Sequence, residues 1–188
     1  MKILHVNVMY YPYIGGGAEI ILKDLVEGLA KRGYTVKVLS FWDKEDKEEV
    51  INGVYIYRAK IPNLYFPYGS VSRSYIKRRI WHILDIYNPI AKRIVLKQIN
   101  EFKPDIVTIH NTHGWSCSIW DAVKEANVPA IQVLHDLYLL CPTNMFKSGK
   151  ACENRCLMCK IMRLPYEYKS NNLKAVVGVS RFTLDKLL

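Results

Sequence analysis

The stretch YYPYIGGGAEIILKDLVEGLAKRGYTVKVLSF, residues 10–41, decides the fold. Three consecutive glycines, Gly15, Gly16 and Gly17, part an apolar run from an amphipathic one. In the second run Ala18, Leu22, Leu25, Val26 and Leu29 recur at helical spacing, and Gly33 stands where a left-handed residue ends a helix. YTVKVLSF (34–41) then reads as a strand, as does KILHVNVMY (2–10) before the turn, because β-branched and apolar residues dominate both. Strand, glycine turn, helix, strand is the unit of a parallel sheet with right-handed crossovers.

Outward from this unit, four more segments read as strands: GVYIYRA (53–59), IVTIH (106–110), PAIQVLH (129–135) and AVVGVS (175–180). Helical patterns lie between them. Ile76, Ile80, Ile83, Leu84 and Tyr87 share one face up to Pro89, Ala91, Ile94, Val95, Ile99 and Phe102 share another, and a third helix is expected around 117–126. The charged DKEDKEE (43–49) reads as a loop. The sum is an α/β domain, Rossmann-like and doubly wound, with a mostly parallel sheet and flanking helices. The final RFTLDKLL begins as a helix and stops without a cap, which reads as a cut end.

A chain of 188 residues, half of them hydrophobic and 23% charged, suits one globular domain and argues against disorder. MKILHVNVMYYPY carries polar interruptions and no small-residue cleavage pattern, so no leader is expected. The longest uncharged run, IVTIHNTHGWSCSIW, is too short and polar to span a bilayer, and a cytoplasmic location follows as the expectation. The net charge of +10 is concentrated: Arg73, Lys77, Arg78, Arg79, Lys92, Arg93, Lys97 and Lys103 face only Asp85 and Glu101 between residues 71 and 103. Such a segment attracts an anionic partner, whether membrane, polyanion or nucleic acid, or is simply a solvated face. No recognised nucleic-acid motif accompanies it, so nucleic acid is not the expected partner.

A glycine turn between the first strand and first helix lies at the carboxyl edge of the sheet, and a helix start offers N–H groups to a phosphate or another anion. The dinucleotide fingerprint is not met, since Ala18, Glu19 and Ile20 follow the glycines and Asp43 comes only after two aromatics. Glu19 favours the helix start through the dipole. His135 and Asp136 end one strand, and His110, Asn111 and His113 follow another on the same edge. The H-x-x-H spacing lacks a third metal donor, which leaves recognition of hydroxyls or a satisfied loop histidine.

Cys141, Cys152, Cys156 and Cys159 cluster in an insertion at about 141–165, spaced C-x10-C-x3-C-x2-C. Structural zinc, free thiols and disulfides are all open readings. An iron–sulfur role is disfavoured because the cysteines come after five expected strands of a doubly wound pattern. Cys117 reads as a small core residue.

P-x-x-GGGAE with its following helix, KPDIVTIHNTHGW (103–115), VPAIQVLHDLYLLCP (128–142) and AVVGVSRFTLDKL (175–187) resemble, in order and spacing, the N-terminal domain of family-four retaining glycosyltransferases. The resemblance implies one half of a GT-B fold, in which this half binds the acceptor and a C-terminal domain binds a nucleotide sugar through E-x7-E, a motif with no counterpart in this sequence. Residues 1–188 are thus expected to be a truncated chain lacking the donor-binding domain, with little transfer of its own. It further implies no cofactor beyond the nucleotide sugar as co-substrate, and a polysaccharide or lipid-linked acceptor. By the same resemblance Gly15, Gly16, Gly17 and Glu19 meet the donor diphosphate or an acceptor group, and His135 faces the reacting sugar. Asp136 then orients that histidine or binds acceptor, and His110, Asn111 and His113 read acceptor hydroxyls. From the clustered charge, Arg78, Arg79, Lys92 and Arg93 are expected to lie against anionic lipid at the inner face of the cell membrane, with Tyr65, Phe66 and Tyr68 as a wedge. The alternatives are a basic nucleic-acid-binding module and a free-standing sugar-binding domain.

Overall fold

In the computed structural model, which describes residues 1–68, 74–147 and 149–187, the elements run in chain order β1 (Lys2–Val6), α1 (Gly17–Lys31), β2 (Thr35–Trp42), β3 (Lys47–Ile51), β4 (Val54–Lys60), α2 (Tyr75–Leu84), α3 (Pro89–Phe102), β5 (Ile106–Ile109), α4 (Ser118–Glu125) and β6 (Ala130–Leu134). A two-stranded ribbon of β7 (Phe146–Lys147) and β8 (Lys150–Ala151) follows, then α5 (Leu157–Lys169), β9 (Ala175–Gly178) and α6 (Arg181–Leu187). The main sheet is ordered β3-β4-β2-β1-β5-β6-β9, parallel throughout except for the β3–β4 pair. With β3 set aside this is the doubly wound order, and the chain reverses direction across the sheet between β1 and β5. Ligands of such folds sit outside the strand carboxyl ends at that reversal.

The helices end for local reasons. At the end of α1, Gly33 takes φ +84°, its N–H reaches the Ala30 carbonyl at 3.0 Å, and the Tyr34 N–H reaches the Leu29 carbonyl at 3.2 Å. This paired arrangement satisfies two otherwise orphaned carbonyls. At the start of α3, Asn88 Oδ1 accepts from the N–H of Ile90 at 3.0 Å and of Ala91 at 3.2 Å, with Pro89 in the first helical position, where a missing N–H costs nothing. One core layer, with Leu4, Val6, Val107, Ile109, Trp115 and Trp120, lies on one side of the sheet region; Leu22, Val26, Val36, Val38, Val54 and Ile56 form a second cluster that includes the inner face of α1.

Two expectations are corrected. The charged segment is in part an edge strand: Lys47–Ile51 pairs antiparallel with β4 through Asn52 and Gly53, both at positive φ, the backbone a two-residue hairpin demands. Its charges discourage pairing with another chain at the sheet edge. The shared apolar face of α2 points outward, with Ile76 69% and Ile83 61% exposed, and within this helix Trp81 is the buried residue. The cysteine segment has a core anchor that composition did not show, since α5 buries Arg163 and Tyr166. Among the described residues no helix is long and apolar enough to cross a membrane.

Candidate functional site

The loop after β1 is held from three sides. Arg58, fully buried on β4, donates to the carbonyl of Tyr10 at 3.0 Å and of Tyr11 at 2.6 Å, and pairs with Glu49 of β3 at 2.5 Å. Glu19, in the first turn of α1, accepts from the Gly16 N–H at 2.8 Å and from Asn7 Nδ2 at 3.1 Å. Its carboxylate thereby fixes the glycine turn, the reciprocal half of a capping box. Trp115, from the loop after β5, donates its indole N–H to the Asn7 carbonyl at 2.9 Å and stacks on Phe41 at 3.6 Å between centroids. The two loops flanking the chain reversal are thereby tied together.

None of Gly15, Gly16 and Gly17 has a positive φ, and Gly16 is fully extended at φ −172°. A Cβ on Gly17 would meet nothing within 4 Å and one on Gly16 only Glu19 Oε2 at 3.8 Å, whereas one on Gly15 would strike the Met9 methyl at 2.2 Å. Backbone strain does not explain the last two glycines; they leave bare backbone facing open space. Gly16→Ala and Gly17→Ala should accordingly leave stability within about 0.5 kcal/mol of wild type in urea titrations. The same variants should weaken binding of a nucleoside diphosphate several-fold, because a methyl then occupies the approach. Equal binding would show that nothing approaches there. Beside the turn lies a cleft of about 480 Å³, walled by Met9, Tyr13, Phe41, Trp42, Phe66 and Tyr68. Its size suits a small ligand, and the sequence signal that could have found it is the aromatic pair ending β2.

His135 follows β6 on the same edge, half-buried, with Nε2 3.1 Å from His110 Nδ1. His110 Nε2 in turn lies 3.3 Å from both His5 Nδ1 and Thr108 Oγ1, and those two are 2.6 Å apart. Burial pushes His135 below the usual imidazole range against the opposing pull of Asp136 and Glu19, holds His110 well below it, and pushes His5 down to about 4. All three are neutral near pH 7. The Asp136 carboxylate accepts from the Tyr138 N–H at 2.9 Å and from Asn144 Nδ2 at 3.5 Å, capping the turn.

His113 points elsewhere. Its Nδ1 lies 3.1 Å from the Tyr68 hydroxyl, its ring packs against Trp81 and Tyr138, and burial pushes its pKa down to about 3. Asn111 Oδ1 accepts the His113 N–H at 2.9 Å, a turn cap. Of the three residues expected to read acceptor hydroxyls, only His110 joins the His135 cluster. Sequence reasoning passed over His5, Asn7, Thr108 and Asp85; a histidine inside a buried strand was the available signal for the first.

Asp85, at the end of α2, binds three segments at once. Its carboxylate accepts from the Gly114 N–H at 2.7 Å and from the Tyr138 hydroxyl, and its carbonyl accepts from the Tyr166 hydroxyl at 2.9 Å. The Arg163 guanidinium is sandwiched between the Tyr138 and Tyr166 rings, 4.2 and 4.5 Å from their centroids. Burial outweighs these partners and pushes the Asp85 pKa up to about 7. Between about pH 4 and 7 the native state thus holds a proton that the unfolded chain has released, so this group's contribution to stability falls as pH rises and is constant outside that window. The stability of wild type relative to Asp85→Asn should decline across the window by at most about 1.4 kcal/mol per pH unit. A difference independent of pH would place the Asp85 pKa elsewhere.

The remaining expected residues disperse. Arg78, Arg79 and Arg93 are exposed, Lys92 is tied to Glu125 at 2.6 Å, and Arg73 lies outside the described residues. Tyr65 and Phe66 pack against the core, with the Tyr65 carbonyl accepting the Trp81 indole N–H at 3.0 Å, and Tyr68 is engaged by His113; the aromatic loop is not a free wedge. Cys159 Sγ lies 3.1 Å from Cys141 and 3.5 Å from Cys156, and Cys152 packs into the same small cluster. All five cysteines are free, and among the described residues no three His, Cys, Asp or Glu side chains are grouped to hold a metal ion.

Residues 15–188 match the family model described as Glycosyltransferase Family 4. The chain belongs to that family. It is 33% identical over 189 residues to an "uncharacterized 42.6 kDa protein in cps region" of Klebsiella pneumoniae, covering 99% of this chain and 50% of that protein. The Family 4 chain thus spans about half the length of that curated relative. Among solved structures it resembles a sucrose-phosphate synthase from Thermosynechococcus elongatus, with TM-score 0.58 and 14% identity over 93% of this chain and 41% of that one. It also resembles the Arabidopsis thaliana protein UGT89C1 complexed with UDP, with TM-score 0.52 and 15% identity over 100% of this chain and 47% of that one. These likenesses agree with the fold, the Rossmann-like half of the GT-B arrangement, which the Family 4 chain supplies.

Proposed function

We propose that residues 1–188 form the acceptor-binding half of a retaining transferase, which works with a donor-binding domain to move a hexosyl group from a nucleotide sugar to a surface polysaccharide or glycolipid. The observation that carries this reading is the meeting, at one carboxyl edge, of Cβ-free glycine backbone, an aromatic cleft and the neutral His135. Transfer builds positive charge on the sugar ring and negative charge on the leaving diphosphate, and fixed N–H groups suit the second of these. The aromatic walls suit the apolar faces of sugar rings. With a donor-binding domain attached, the protein should release nucleoside diphosphate from one nucleotide sugar in an acceptor-dependent manner and preserve the anomeric configuration, read by NMR. Inversion, or hydrolysis indifferent to acceptor, would contradict it.

The outward apolar face of α2, with Arg78 and Arg79 on the same helix and Leu64 and Ile90 also exposed, favours a peripheral seat on anionic lipid. Sedimentation with phosphatidylserine vesicles should show binding that weakens with salt and drops at least tenfold in Ile76→Ser/Ile83→Ser. Retention by oligonucleotides in place of vesicles would favour the nucleic-acid reading.

A further inference from the structure

We propose that His5, Thr108 and His110 form a buried relay that fixes His135 in its Nδ1–H tautomer, so that the imidazole meets substrate as a hydrogen-bond donor. The inference rests on the reading above only in placing a sugar at His135; the tautomer itself follows from the interior.

A neutral imidazole has one N–H and one lone pair, so each ring in a chain of contacts must donate at one nitrogen and accept at the other. Two polarities are available. If the chain runs inward, His135 Nε2–H donates to His110 Nδ1, and His110 Nε2–H donates to Thr108 or to His5 Nδ1. His5 then carries its proton on Nε2, a nitrogen that is buried and has no partner, because a proton on Nδ1 would make both rings donate to Thr108 Oγ1 and leave that hydroxyl's own proton with no acceptor among its hydrogen-bond contacts. If the chain runs outward, His5 Nδ1–H donates to Thr108 Oγ1 at 2.6 Å, the Thr108 hydroxyl donates to His110 Nε2 at 3.3 Å, and His110 Nδ1–H donates to His135 Nε2 at 3.1 Å. The unpartnered atom is then a bare lone pair on His5 Nε2. A stranded buried N–H is rarer in proteins than a stranded acceptor, which selects the outward polarity. Thr108 can serve either direction, so His5, 1% exposed at the inner end, sets the sense. Protonating the chain would place a charge in this interior, and burial opposes it.

With Nε2 occupied as an acceptor, His135 has only Nδ1–H to offer. It then donates to an oxygen, such as a sugar hydroxyl, and cannot take a proton from one through a free lone pair. An N–H dipole also disfavours a developing positive centre, so the ring belongs beside a non-reacting hydroxyl rather than at the anomeric carbon. His5, Thr108 and His110 are positioning residues in this scheme.

Long-range proton–nitrogen correlation spectra of the chain labelled with 15N-histidine test it without substrate. The expected result at pH 7 is a protonated Nδ1 and an unprotonated Nε2 on His5, His110 and His135, the reverse of the form that predominates in free histidine. In His110→Phe, His135 should revert to Nε2–H. If that variant does not fold, His5→Phe should leave His110 and His135 as a mixture of both forms. Nε2–H on His135 in the wild type, or a His135 tautomer indifferent to whichever variant folds, would overturn the relay. Because no sugar is present, absence of transferase activity would sink the functional reading and leave this result standing.

Discussion

Replacing His135 with alanine lowers kcat of the domain-joined transferase roughly 10²-fold, the scale of loss expected when a group that positions the sugar through a non-reacting hydroxyl is removed. The fall should lie in kcat more than in KM, since a group that orients the sugar for charge separation acts most strongly in the transition state. The fold should survive: His135 is half-buried at the end of β6, and its one recorded hydrogen-bond partner among the described residues is His110. Steady-state kinetics with saturating nucleotide sugar check the result, and circular dichroism checks the fold. A His135→Ala enzyme within threefold of wild type would remove the residue from the machinery.

The second large effect is on stability. Trp115→Ala should cost roughly 3–5 kcal/mol, read from the urea midpoint at unchanged slope, because it empties a fully buried aromatic site. Two linked losses add to the cavity. The Asn7 carbonyl loses its indole donor, and Phe41 loses the ring stacked 3.6 Å from it. Against a typical total of 5–15 kcal/mol that is a large fraction. Trp115→Phe keeps a stacked ring but loses the hydrogen bond and part of the indole's volume, so it should recover part of the loss and not all of it. If Trp115→Ala unfolds only as easily as an average surface variant, the two site loops are not held together by this residue.

The doubly wound half was legible because its signals are local. The glycine turn, the period of α1, Gly33 at its end and the β-branched strand segments each specify an element from a few neighbouring residues. β3 was missed because attention went to its charges and not to the Asn52-Gly53 pair that makes the hairpin. The outward turn of α2 was not legible, since periodicity tells which residues share a face and not what that face meets. The same limit explains the site. Glu19 and Asp136 carry acidic side chains on the right edge, and each also accepts a backbone N–H of its own turn, a role the sequence did not announce. His5 and His110, more than a hundred positions apart, meet only because β1 and β5 pair in parallel, with His5 opposite Thr108. Arg58 and Asp85, which hold the loops, act on residues far away in the chain, and no short-range pattern announces such a role.

The central claim is that the glycine turn and His135 share one ligand-binding rim. Titration of the 15N-labelled chain with a nucleoside diphosphate and with its sugar conjugate tests this most directly. The amides of Gly15, Gly16 and Gly17 should shift with both ligands, and those of His110 and His135 more strongly with the sugar conjugate. Shifts gathered instead around Lys2, Thr35 and Lys37, at the starts of β1 and β2, would place binding at the opposite edge of the sheet and contradict the account.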